Sequence, residues 1–150
     1  MSERRVEDLG NLYVALRTYD VRTKPQVMER LRRQGRLVLL VDAARPDADG
    51  DALWMILDHL SGKVLSGFTA RDIDAKELAA KIRTVASLGI PIAGVATDGE
   101  PVVVEAVRLA LAGVPHQLCQ FHFLGNFGRG VTKLDNELSH ALSVDVRGLT

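Results

Sequence analysis

The chain has 150 residues, no formal net charge, 47% apolar and 25% charged residues, and one cysteine. This balance excludes a disordered chain and a disulfide-stapled miniprotein, and the length suits one domain or one domain with a small appendage. No apolar run approaches the roughly 18 residues that span a bilayer, and the charged start Met1-Ser2-Glu3-Arg4-Arg5 has no apolar stretch behind it, so neither a membrane protein nor a secretory signal is expected and a reducing, cytoplasmic setting is.

Residues 1–35 read as a basic helical leader. Residues 1–36 hold nine Lys/Arg against five Asp/Glu, a net of +4 that the remaining residues balance at −4. Val6, Leu9, Tyr13 and Leu16 recur at helical spacing and predict a helix over 6–19. Pro25 suits a first helical turn and Gly35 a stop, which brackets a second helix over 25–34. Arg30, Arg32, Arg33 and Arg36 form the most basic cluster and are the candidate DNA-contacting residues. A solvated helix face accounts for the same charges equally well.

Residues 36–150 read as a second domain. The apolar run Leu37–Val41 ends in Asp42 and suits a strand buried on both faces. Turn residues 46–51 lead to an apolar run over 52–60, and Ser61-Gly62-Lys63 turns the chain into a third strand over 64–68. Two short turns joining three strands predict an antiparallel meander. Asp74 and Glu77 then form a capping-box pair, followed by Leu78, Ile82, Val85 and Leu88 at helical spacing, with Gly89 and Pro91 as the stop. A fourth strand over 90–98 again ends in an acid, Asp98. Pro101 opens a helix closed by Gly113; residues 114–123 read as a short strand or a strand-to-helix passage, and 131–144 as a last helix. The order βββαβαβα is that of a ribonuclease-H-like mixed α/β sheet, with right-handed crossovers setting the fourth strand beside the first.

That placement gives the two terminal acids a meaning. Asp42 and Asp98 lie 56 positions apart, yet adjacent strands would bring their carboxylates within about 5–8 Å. Two carboxylates so close repel unless a cation lies between them, and Mg²⁺ or Mn²⁺ takes such oxygen ligands together with water and phosphate. A purely structural reading makes Asp42 a strand end and Asp98 the cap of the helix at Pro101. Asp47, Asp49 and Asp51 alternate as in a calcium loop but lack its distal bidentate acid, and Asp58 reads as structural. Cys119-x-x-His122 supplies half a zinc site, with His116 and His140 as further donors; no second Cys/His pair completes it, and zinc is not expected. Gly125–Gly130 lacks the Lys-Ser/Thr of a phosphate loop and reads as a connector.

Val41-Asp42, Ser61–Leu65, Gly94–Glu100 and Pro115–His122 together resemble the catalytic core of prokaryotic insertion-sequence transposases of the DDE type, and the Cys-x-x-His element is similar to that of the Mutator-like group. The resemblance runs over about residues 35–148. It implies a ribonuclease-H-like fold, two Mg²⁺ or Mn²⁺ ions, and Asp42 and Asp98 as the first two acids of a catalytic triad. It also implies DNA transposition, with hydrolysis at transposon ends and strand transfer to target DNA, by a homo-oligomer associated with the nucleoid. Cys119 and His122 would lie near that site. The third acid normally stands on a later helix, often after an insertion; Glu137 or Asp135 could serve a short-spaced triad. The chain is therefore expected to represent the N-terminal part of such a core and to be inactive by itself. A non-catalytic module that binds DNA or transposase and regulates transposition is the alternative. A small-molecule phosphotransferase ranks last, because Asp42-Ala43-Ala44 lacks the usual Asp-x-Asp.

Overall fold

Proline and glycine delimit the first helix as their backbone chemistry requires. In the computed structural model, which describes Val21 and residues 23–44 and 50–120, helix α1 runs Pro25–Gln34 and ends at Gly35 in the left-handed conformation, φ 79°. The Gly35 N–H turns back onto the carbonyls of Leu31 and Arg32, satisfying groups that a helix end leaves open. A Cβ at position 35 would meet no atom within 4 Å, so the penalty of a side chain there is conformational alone. Gly35→Ala is expected to destabilise the fold by about 1 kcal/mol, read as a lower urea midpoint at unchanged slope.

The chain then builds β1 (Leu37–Ala44), β2 (Ala52–Asp58), β3 (Lys63–Ala70), α2 (Ala75–Ala86), β4 (Ile92–Thr97), α3 (Pro101–Ala110) and β5 (His116–Leu118). The five strands form one sheet in the order β3-β2-β1-β4-β5. β1 pairs antiparallel with β2, β2 antiparallel with β3, and β1 parallel with β4. A meander extended by a parallel strand on the far side of β1 is the ribonuclease-H-like arrangement. The antiparallel joints need only short turns, whereas the parallel joint needs the crossover that α2 supplies. That helix starts at a complete capping box, with Asp74 Oδ1 accepting the Lys76 and Glu77 N–H groups at 2.7 and 2.8 Å.

One face of the sheet carries the core. Leu37, Leu39 and Val41 of β1 and Ala52, Trp54, Ile56 and Asp58 of β2 are buried in strict alternation, and the register Val41↔Ile56 and Leu39↔Val95 aligns these rows across strands. Leu78, Ile82 and Val85 of α2 and Val103, Ala106 and Val107 of α3 complete the cluster. Leu31 of α1 joins it, 1% exposed, so the second helix of the basic leader is packed into the same core as the sheet. The chain divides into two compact units, the first ending at Gln117 and the second starting at Leu118.

Tertiary pairing shifts several boundaries. β1 continues two residues past Asp42 because Ala43 and Ala44 pair with Trp54 and Leu53, and its second face is half-exposed rather than fully buried. α3 stops at Ala110, where Leu111 leaves helical geometry at φ −134°, three residues before the expected glycine. β5 is three residues long. The helix expected over 6–19, Asp47, Asp49, His122, Gly125–Gly130, Asp135, Glu137, His140 and the helix expected over 131–144 lie outside the described residues. Among the described residues no helix is long and apolar enough to cross a membrane.

Candidate metal centre

Asp42 and Asp98 each directly follow the last registered pair of two parallel strands. β1 and β4 pair Leu39↔Val95, Leu40↔Ala96 and Val41↔Thr97, and one step further along each chain stand Asp42 and Asp98. Parallel neighbours lie about 4.8 Å apart, so one strand spacing sets the scale of the separation between two residues 56 positions apart. Val41 and Thr97 face the core and are 1% and 2% exposed. Alternation turns Asp42 to the opposite face, where it is exposed; Asp98 follows the last residue of β4 and is half-buried.

Each carboxylate is oriented by its own backbone. Asp42 Oδ1 accepts the Ala43 N–H at 2.9 Å, and Asp98 Oδ1 accepts the Glu100 N–H at 3.0 Å. Asp98 is not the cap of α3: the N-cap residue is Glu100, which makes no side-chain cap bond. The capping explanation for Asp98 is thereby corrected, because its carboxylate closes the turn ahead of the helix. Among the described residues neither acid pairs with a cation, and each keeps Oδ2 free of hydrogen bonds. A carboxylate with an uncommitted oxygen is the kind of ligand that a hard divalent cation takes together with water and phosphate. No cluster of three or more His, Cys, Asp or Glu that could hold a metal occurs among the described residues.

The residue before Asp98 and its partner escape a reading of acids alone. The Thr97 hydroxyl lies 2.9 Å from His116 Nε2 and accepts the Gly99 N–H at 3.3 Å. A signal for Thr97 was present in the sequence, as a polar residue at a core-facing position of an otherwise apolar strand. His116, a possible zinc donor by sequence, has its Nε2 committed to this hydroxyl.

Arg30, Arg32, Arg33 and Arg36 are all exposed. Arg33 forms an i,i+4 pair with Glu29, and Arg32 and Arg33 occupy the last turn of α1, where cations suit the helix dipole. Cys119, in the second unit, is a half-buried free thiol. Asp51 is exposed. Asp58 is fully buried, and its role is structural: it accepts four hydrogen bonds, from Gln34 Nε2, Val38 N, Ser61 N and Ser61 Oγ.

No family model and no curated protein matches this chain. Among solved structures it is similar to a chain of the cryo-electron-microscopy structure of a simian T-cell lymphotropic virus intasome in complex with the PP2A regulatory subunit B56 gamma, at a TM-score of 0.44 and 16% identity. The match covers 69% of this chain and 46% of that one, so this chain spans about half the length of the chain it matches.

Proposed function

We propose that this chain carries part of a DNA strand-transfer centre of the transposase type, in which Asp42 and Asp98 are the first two carboxylate ligands of Mg²⁺ or Mn²⁺. The observation that supports this reading is the parallel β1–β4 register, whose last pair, Val41↔Thr97, immediately precedes the two acids, each with one oxygen outside the local hydrogen bond. Cations bound there supply electrophilic stabilisation of a phosphodiester under attack. The chain's own contribution is positional: the two strands fix the spacing of the ligands, and the local N–H groups fix their rotation. The DNA ends of an insertion sequence are the proposed substrate, acted on by a homo-oligomer. Binding of Mn²⁺, followed by titration calorimetry on the wild type and on Asp42→Asn and Asp98→Asn, tests the reading. Equal affinity in all three proteins contradicts it.

The exposed arginines of α1 and Arg36 are the proposed contacts to DNA phosphates. Replacing Arg30, Arg32, Arg33 and Arg36 together by glutamine leaves the buried Leu31 in place and is expected to flatten the slope of log affinity against log salt by up to about 3.6, near 0.9 per lost phosphate contact. Fluorescence anisotropy with duplex DNA at several salt concentrations reads the slope, and an unchanged slope removes these residues from the interface.

A further inference from the structure

We propose that Thr97 and His116 form a latch that positions the Asp98 carboxylate for the metal, an inference that rests on the metal-site reading above. Thr97 immediately precedes Asp98, and its hydroxyl is held from two directions. One partner is His116 Nε2 at 2.9 Å, 19 residues away on β5, and the other is the Gly99 N–H at 3.3 Å. The imidazole is delivered by backbone pairing, because the Val95 N–H donates to the Pro115 carbonyl at 2.9 Å and so pins the start of β5 against β4.

The turn after β4 explains how the latch reaches the acid. Gly99 adopts φ +90°, a region that side-chain-bearing residues rarely occupy, so the chain bends directly behind Asp98. Two successive N–H groups of that bend point back at two successive side chains. Gly99 N–H reaches Thr97 Oγ1, and Glu100 N–H reaches Asp98 Oδ1. The rotation of the Asp98 carboxylate is thus tied to the backbone that the Thr97 hydroxyl holds. Valine has nearly the same shape as threonine and would suit a buried strand position 2% exposed at no polar desolvation cost. A hydroxyl at that place is accounted for by what it holds. The bond to His116 forms with either neutral imidazole tautomer, since a hydroxyl can donate or accept.

Thr97 and His116 are therefore positioning residues, and their removal is expected to weaken metal binding more than folding. Thr97→Val keeps the volume and removes both bonds; Thr97→Ser keeps the hydroxyl; His116→Ala removes the distant partner from a half-buried position. Mn²⁺ titration calorimetry on these variants and on Asp98→Asn, with thermal unfolding recorded in parallel, is the test. Loss of a group that orients a ligand typically lowers metal affinity by about tenfold or more. That loss is expected for Thr97→Val and His116→Ala, with near-wild-type affinity restored by Thr97→Ser. A Thr97→Val protein that fails to fold leaves His116→Ala and Thr97→Ser to carry the same comparison. Wild-type affinity in His116→Ala, with binding lost in Asp98→Asn, overturns the latch and spares the metal site. Wild-type affinity in Asp98→Asn overturns the metal site and the latch with it.

Discussion

Asp58→Ala is expected to destabilise the fold by about 3 kcal/mol, a large fraction of the 5–15 kcal/mol that separates a typical domain from its unfolded chain. Asp58 is fully buried, and a buried carboxylate is tolerated only when its lone pairs are occupied. Here Oδ1 accepts the Val38 N–H at 2.9 Å, while Oδ2 accepts Gln34 Nε2 and the Ser61 N–H at 2.9 Å and Ser61 Oγ at 2.6 Å. One side chain thereby ties the end of α1, the start of β1 and the β2–β3 turn. Truncation to alanine strands the Val38 N–H inside the sheet, where water does not easily replace the lost acceptor. Asp58→Asn is expected to be harmful as well, because an amide nitrogen in place of Oδ2 confronts three donors with a fourth. Urea unfolding of both variants checks this, and a loss below about 1 kcal/mol in either contradicts the role assigned to the network.

The same network contributes to the acid limb of stability. Burial, the largest single influence, pushes the Asp58 carboxyl up, but the hydrogen bonds from Ser61 Oγ, Gln34, the Val38 N–H and the Ser61 N–H together outweigh it and hold it below its ordinary value of 3.8. The unfolded chain therefore binds this proton more readily than the folded one. The stabilisation is present in full above about pH 4 and is lost as pH falls through the lower folded value. Asp58→Asn is expected to flatten that part of the stability–pH curve, and an acid limb identical to wild type contradicts the assignment.

The second large effect concerns metal binding. Asp42→Asn and Asp98→Asn each keep the shape of the side chain and a carbonyl oxygen for the local N–H, so the fold should persist in both. Each removes one of the two anionic charges that would draw a divalent cation to the proposed site, and amide oxygens are weak ligands for Mg²⁺ and Mn²⁺ by comparison. A loss of about tenfold or more in Mn²⁺ affinity is expected for either variant, by analogy with the cost of losing groups that merely support a ligand. The double variant should show no saturable binding in calorimetry. Relief of carboxylate repulsion should also leave the metal-free variants at least as stable as wild type. Destabilisation of both single variants with unchanged metal affinity would assign the acids to the fold instead.

What the sequence made legible follows from how local each signal is. The Pro25–Gly35 bracket, the Asp74/Glu77 capping box and the proline at the start of α3 depend on backbone chemistry within a few residues, and the structure keeps all three. The apolar run of β1 and the two short turns on either side of β2 specify a meander for the same reason. The pairing of β1 with β4 was reachable through the handedness of crossovers. The less visible features are settled by partners far away in sequence. β1 extends past Asp42 because Ala43 and Ala44 find β2. Asp58 is held by Gln34 and Val38, 24 and 20 positions away. Thr97 is held by His116. No periodicity within a window of ten residues carries such information. The basic cluster of α1 was legible as charge, but the burial of Leu31 between the arginines, which makes that helix part of the core, depends on packing against the sheet.

Crystals of the protein soaked in Mn²⁺ and measured for anomalous scattering address the juxtaposition of the two acids most directly. The geometry described here predicts an anomalous peak at metal–oxygen bonding distance, about 2.1 Å, from a carboxylate oxygen of both Asp42 and Asp98. A peak held by only one of them, or manganese bound elsewhere with the two side chains turned apart, contradicts it.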